Sequence, residues 1–331
     1  MAAGIEVGAP SAPSTRSAKP AARPVRVVCV GHASLDHVFE VEAFSAQASK
    51  TPARSYRMLA GGMAFNAAVA AARLGASVRL VSRVGDDMAA NFLRQRLADE
   101  GIEARGVETV RATSTSVSAI VVDIHGERQI FNHRGDAIAR AHALDTRLLE
   151  GADVVLADPR WRAGAAAALR WARQHGVLSV FDGDIAPPAD LRALVPLACW
   201  AVFSEPGLRA WAAPGIEVHD ALRQACAAGA ASAVLTCGER GSWRCQGNEL
   251  VHEAAPRVAA IDTTAAGDVF HGALGVALAE GRPAAEAVRW ASAAAAFKCQ
   301  RGLGALGAPT RGELATWMAA RNSSACAADS R

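Results

Sequence analysis

Short β-branched runs alternate with alanine-rich, helix-forming segments along most of the chain, which predicts an α/β fold: a mostly parallel central sheet with helices on both faces. Two stretches, residues 39–59 and 114–131, break that alternation and predict a small β-sheet standing outside the main domain. Glycines at the junctions mark where elements begin and end.

Residues 25–30 are a β-branched run ending at Gly31, as expected of a buried first strand. Gly61-Gly62 opens an alanine-rich helix to Leu74, closed by Gly75. A strand over 78–84 leads through Gly85-Asp86-Asp87 into an amphipathic helix reaching Leu97, and 116–122 can pair with 127–131. Further strands are expected at 153–157, 177–181, 200–203 and 233–236, and helices at 163–174, 218–227, 266–279 and 284–298. Thr310-Arg311-Gly312-Glu313 matches a capping box and starts a last helix.

The 331 residues carry 35 Lys+Arg against 32 Asp+Glu, a net charge of +3, with 51% hydrophobic and 5% aromatic residues. That balance excludes disorder for most of the chain and gives no general attraction to nucleic acid. No apolar stretch approaches the roughly 18 residues that span a bilayer. Seven cysteines without a CxxC pair fit reduced thiols in the cytoplasm rather than a disulfide framework or zinc site. Residues 1–24, rich in Ala, Pro, Ser and Arg, read as a disordered leader. One domain over 25–318 and a flexible tail over 319–331 complete the organisation.

The sharpest motif is Asp262-Thr263-Thr264-Ala265-Ala266-Gly267-Asp268 at the start of a helix. Small side chains let the backbone curl so that successive N–H groups of residues 265–268 address one anion. Asp268 beside such a hole can accept a proton from a hydroxyl attacking a phosphoryl group. The plain alternative is an acid favoured by the helix dipole in a first turn. Gly302-Leu303-Gly304-Ala305-Leu306-Gly307 fits GxGxxG but follows a helix and runs into Pro309, so it is a loop rather than a dinucleotide fingerprint. GxxxxGK[ST] is absent, which excludes a P-loop.

The Asp262–Asp268 motif resembles the signature of the ribokinase-like, PfkB-type carbohydrate kinases, with Ala265 where many members have Gly. The resemblance implies a Rossmann-like ribokinase fold with a β-sheet lid made of segments about 36–60 and 114–132, ATP with Mg2+, and phosphorylation of a sugar hydroxyl. Other segments resemble the family in order. Gly31–Asp36 is similar to its opening strand and sugar-binding Asp36. Gly61-Gly62 with Asn66 resembles its diglycine and helix Asn, which contact sugar hydroxyls. Thr236, Gly238 and Gly241 match its nucleotide strand-and-turn, and Ser292 sits where relatives have an Asn near adenine. Gly267 and Ala266 share the phosphoryl site with Asp268. The family's Asn-x-x-Glu is altered here to Ser204-Glu205-Pro206-Gly207, which leaves Asp182, Asp184 and Glu205 as candidate acids for the metal. The 302–307 loop is a candidate lining for the nucleotide or for a monovalent cation.

Within that family, segments 155–161, 182–185, 203–208, 267–274 and 298–301 resemble the sulfofructose kinases. That likeness implies Lys50, Asn132 and Arg160 as contacts to a substrate sulfonate, and 6-deoxy-6-sulfofructose phosphorylated at its 1-hydroxyl. The expected partners are a small anionic sugar and a second copy of the chain through the lid, with no nucleic acid and no membrane. Kinases of fructose or 2-dehydro-3-deoxygluconate, and a catalytically silent sugar-binding regulator, are the alternatives.

Overall fold

The computed structural model describes residues 23–45, 47, 50–139 and 143–328, so the leader expected over 1–24 falls almost wholly outside the described residues. In chain order the elements are β1 (Arg26–Val30), β2 (Ser34–Glu40), β3 (Ser55–Gly61), α1 (Met63–Arg73), β4 (Ser77–Val84), α2 (Met88–Asp99), β5 (Glu103–Thr109), β6 (Ser116–Val122), β7 (Arg128–His133) and α3 (Asp136–Ala139). They continue as β8 (Val154–Ala157), α4 (Arg162–Gln174), β9 (Leu178–Gly183), α5 (Pro188–Leu194), β10 (Trp200–Ser204), α6 (Glu205–Trp211), α7 (Val218–Ala227), β11 (Ser232–Thr236), β12 (Ser242–Gln246), β13 (Glu249–Glu253), α8 (Ala266–Ala279), α9 (Ala284–Cys299) and α10 (Arg311–Ala328).

The nine-stranded sheet runs in the order β13-β12-β11-β10-β9-β8-β1-β4-β5. Pairing is parallel from β11 to β5, while β12 and β13 are antiparallel at one edge. The second sheet, β3-β2-β6-β7, has four strands and forms the lid. Its β2 begins at Ser34, just before the expected lid start.

Both faces of the large sheet are covered. On one, α1, α8 and α9 bury Phe65, Leu74, Leu274 and Val288. On the other, α4 to α7 bury Leu169, Leu191, Leu208 and Leu222 against Phe181 and Phe203. Alanine permits unusually close packing between α1 and α8. A Cβ on Gly272 would lie 2.4 Å from the Ala67 carbonyl oxygen and 3.0 Å from the Ala70 Cβ, so the two backbones touch there. That contact sets Asn66 on α1 opposite Asp268 on α8.

The predicted capping box forms: the Thr310 N–H donates to Glu313 Oε2 at 2.7 Å, and the Glu313 N–H to Thr310 Oγ1 at 3.3 Å. The helix it starts runs to Ala328, since no Gly or Pro interrupts the sequence after Gly312, so the expected tail is helical over 319–328 and its residues 329–331 lie outside the described residues. At the other end, Arg23 leaves the expected leader and forms a bidentate pair with Asp153, at 2.7 and 2.8 Å. No described helix is long and apolar enough to cross a membrane.

The close α1–α8 approach gives the first prediction. Gly272→Ala should lower stability by about 1–3 kcal/mol, because the new methyl meets backbone rather than a movable side chain. Urea unfolding checks it: the midpoint falls while the slope stays unchanged.

Candidate active site

A cavity of about 460 Å³ lies between the inner face of the lid, the start of α1 and the loops 260–265 and 302–304. Strand register places Asp36, Ser118 and Asn132 side by side across β2, β6 and β7. The Asn132 amide donates to Ser118 Oγ at 3.1 Å, and Ser34 Oγ donates to Asp36 Oδ1 at 3.1 Å. Burial raises the Asp36 carboxyl above the usual carboxylate range, and the Ser118 and Ser34 hydroxyls oppose that rise.

The diglycine is required by space. A Cβ on Gly61 would sit 2.1 Å from Asp36 Oδ2. Gly62 has φ of 97°, and its Cβ would meet the His32 carbonyl oxygen at 2.5 Å. Asp158, a residue the sequence reading did not assign, holds this corner. Its buried carboxylate accepts N–H groups from His32 (2.7 Å), Ala64 (3.1 Å) and Arg160 (2.8 Å), joining the turn after β1, the start of α1 and the turn after β8.

The Asn66 amide donates to Asp268 Oδ2 at 2.7 Å. Burial, then the negative charge of Asp182, lifts the Asp268 carboxyl to about 7, against the Asn66 hydrogen bond and His271. Ala265 precedes α8 with φ of 62°, a left-handed conformation costing an alanine about 1 kcal/mol. The curl differs at one point from the expected anion hole, because the Ala266 N–H donates to the Thr263 carbonyl at 3.2 Å. Among the described residues, the N–H groups of Ala265, Gly267 and Asp268 have no acceptor, and a Cβ on Gly267 would meet nothing within 4 Å. Three donors at a helix N-terminus are thus left without an acceptor.

The expected metal acids separate. Asp182, Asp268 and His271 each offer a ligand atom, all within 4.8 Å of one another. Burial and the charges of Asp184 and Asp158 raise the Asp182 carboxyl well above the usual range, and burial lowers the His271 imidazole. Neither His271 nitrogen has a hydrogen-bond partner, although Nδ1 lies 3.2 Å from Asp182 Oδ2. The carboxylates fit a hard divalent cation with oxygen ligands, and His271 adds a nitrogen that Mg2+ does not prefer. Glu205 is engaged elsewhere, in an ion pair with Arg240. Ser204 caps α6 and donates to Asp184 Oδ1 at 2.7 Å, so the altered segment still organises an acid.

The three expected sulfonate contacts do not meet at the cavity. Lys50 is exposed in the connection from β2 to β3, beyond the strand ends. Arg160 extends toward Asp184, at 4.0 Å, rather than pairing its guanidinium with Asp158. The cavity's own cations are Arg57 and Arg128, whose lid positions resemble ordinary strand charges in the sequence. Arg57 pairs with Glu40 at 2.5 Å, and Arg128 donates to Asp262 Oδ1 at 3.3 Å. Near Arg160, burial and then the Arg160 and Arg134 guanidiniums push the His32 imidazole down to about 4, so it is neutral at pH 7.

On the nucleotide side, Thr236 ends β11 and donates to the Phe203 carbonyl at 3.1 Å. Gly238 and Gly241, with φ of 57° and 89°, frame the turn into β12. A Cβ on Gly241 would sit 2.1 Å from the Glu253 carbonyl oxygen. Ser292 is half-buried on α9.

The chain matches the pfkB family carbohydrate kinase profile over residues 25–311. It is 28% identical to a ribokinase of Haemophilus influenzae over 296 residues, covering 86% of this chain and 95% of that one. A crystal structure from Agrobacterium tumefaciens superposes with a TM-score of 0.85 at 33% identity, covering 91% of this chain and 99% of that one. Arabidopsis thaliana ribokinase, solved with ribose and ATP, shares the fold with a TM-score of 0.78 at 23% identity, covering 88% and 98%. With the fold, the ordered motifs and the profile in agreement, the chain belongs to the pfkB family of carbohydrate kinases, phosphotransferases that act on an alcohol group.

Proposed function

We propose that this kinase transfers the γ-phosphoryl group of ATP to a hydroxyl of a small sugar held between Asp36 and Asp268. The single observation that carries the reading is the Asn66–Asp268 hydrogen bond at 2.7 Å, beside three unpaired N–H groups at the start of α8. Asp36, the Gly61-Gly62 backbone and Asn66 orient the sugar hydroxyls. Asp268 accepts the hydroxyl proton as that oxygen bonds to the γ-phosphorus and the bond to the β–γ bridging oxygen breaks. ADP leaves with the electron pair, and the proton passes from Asp268 to solvent. The N–H groups of Ala265, Gly267 and Asp268 stabilise charge on the transferring group. Thr236, Gly238, Gly241 and Ser292 are assigned to the nucleotide. Mg2+ supplies neutralisation of the phosphoryl oxygens when bound, and Asp182 and Asp184 are the carboxylates that would hold it.

The finer reading is an anionic ketose, 6-deoxy-6-sulfofructose, phosphorylated at its 1-hydroxyl. Arg160 and Arg134 around the neutral His32, with Asn132 in the polar row beside Asp36, support an anionic substrate. Ribose is the second reading, favoured by the likeness to ribokinases. The exposed outer face of the lid, with Tyr56, Met58 and Phe131, supports pairing with a second copy.

A turnover panel of sulfofructose, fructose, fructose 6-phosphate, 2-dehydro-3-deoxygluconate and ribose decides the substrate. Arg160→Ala should lower kcat/KM on the anionic sugar by about 30-fold and on a neutral sugar by less than about threefold. Equal losses remove the anionic-sugar reading.

Asp268→Asn should lower kcat by at least about 100-fold while ATP binding, measured by calorimetry, is kept. The base works only when ionised, so kcat/KM should rise with pH through about 7 and level off above it. Asp182→Asn removes a like charge and should move that midpoint downward, provided the variant still folds. An unchanged midpoint in a folded variant would contradict the proposed electrostatic origin of the shift.

A further inference from the structure

Lys298, on the last turn of α9, is 0% exposed, and a buried lysine is rare unless its charge is compensated. Its compensation is concentrated on one residue. Nζ donates to the Asp262 main-chain oxygen at 2.7 Å and lies 3.2 Å from Asp262 Oδ2. The same carboxylate accepts the Thr264 N–H at 2.8 Å, the Gly304 N–H at 3.4 Å and the lid residue Arg128 at 3.3 Å. Asp262 is thus the joint of three segments, the turn before α8, the 302–304 loop and the lid, and Lys298 lies beneath it.

The turn it supports is the one that leaves N–H groups without an acceptor. The Thr264 N–H bond to Asp262 and the Ala266 N–H bond to the Thr263 carbonyl hold the chain where Ala265 adopts its left-handed conformation. An uncompensated Asp262 carboxylate would repel a phosphoryl group arriving at that turn. Burial lowers the Lys298 ammonium and the Asp262 charge opposes this; Cys299 and Arg128 are the other titratable groups acting on it. Among the described residues, the 302–304 loop turns an N–H donor toward Asp262, an arrangement that suits an anion rather than a free cation.

We propose that Lys298 is a positioning residue, a built-in cation that fixes Asp262 and the 262–267 turn in the form required for phosphoryl transfer. A bound monovalent cation is then unnecessary beside Asp262. The inference rests on reading the turn as the phosphoryl site.

The test is steady-state kinetics on the sugar that the wild type turns over, with tetramethylammonium as the sole monovalent cation and then with potassium added. Wild-type kcat should change by no more than about twofold, and Lys298→Met should lose about 100-fold in kcat while the sugar KM stays within about threefold. Lys298→Ala leaves a space the size of propylammonium, and propylamine should restore kcat by about tenfold where tetramethylammonium does not. Strong potassium activation of the wild type, or a Lys298→Met variant with wild-type kcat, overturns the inference. If Lys298→Met fails to fold, the wild-type potassium response and the propylamine arm decide. If the wild type turns over no sugar, the parent reading fails. Lys298 is then judged by whether propylamine, and not tetramethylammonium, raises the thermal midpoint of Lys298→Ala; no rise overturns it.

Discussion

The close approach of α1 and α8 is the constraint on which the candidate site depends. Gly272 lies against the Ala67 carbonyl, and alanine fills the rest of the contact, so two helices remote in sequence meet backbone to backbone. A larger side chain at this contact would separate Asn66 from Asp268 and open the hydrogen bond that orients the proposed base. The alanine excess contributes little buried area per residue, but it permits a separation that leucine-rich helices could not reach.

Around that contact the structure concentrates buried acids and handles each differently. Asp158 is compensated by three N–H donors and acts as a rivet between segments. Asp262 is compensated by Lys298 and its own turn, and burial is outweighed so that its carboxyl lies below the usual range. Asp182 accepts the Asp184 N–H and Asp268 the Asn66 amide, yet burial prevails and both carboxyls are raised. Burial raises the Asp158 carboxyl as well, so the direction of the shift does not sort these acids; Asp268 is set apart by its place at the start of α8, hydrogen-bonded to Asn66. The lid completes the enclosure, lining the cavity with Asp36 beside Val38, Leu59, Ile120 and Val122, while Tyr56, Met58 and Phe131 are exposed on its other face.

Much of this was legible in the sequence because periodicity and capping are local. The helices 218–227 and 266–279 and the strand 116–122 match their observed bounds, and the capping box at Thr310 forms as predicted. The strands β5, β12 and β13 were not read; at β5 and β13, the two edges of the large sheet, charges mask the alternation. Among site residues, Asp36, Gly61, Gly62, Asn66 and the Ala265–Asp268 turn come together. Arg57, Arg128, Asp158 and Lys298 were missed; an apolar run ending in Lys298 and the Gly31-to-Asp158 pairing leave only a faint trace in a single sequence.

What the sequence alone determined is the order of strands and helices, the small-residue turn before α8 and the family to which these motifs belong, since each is written in short-range spacing. Only the tertiary structure decided which charges share a space. It left Lys50 exposed, turned Arg160 toward Asp184, and placed Arg128 and Lys298 on one aspartate. The physical reason is that electrostatic partners are chosen by burial and distance between segments remote in sequence, and no local pattern encodes that choice.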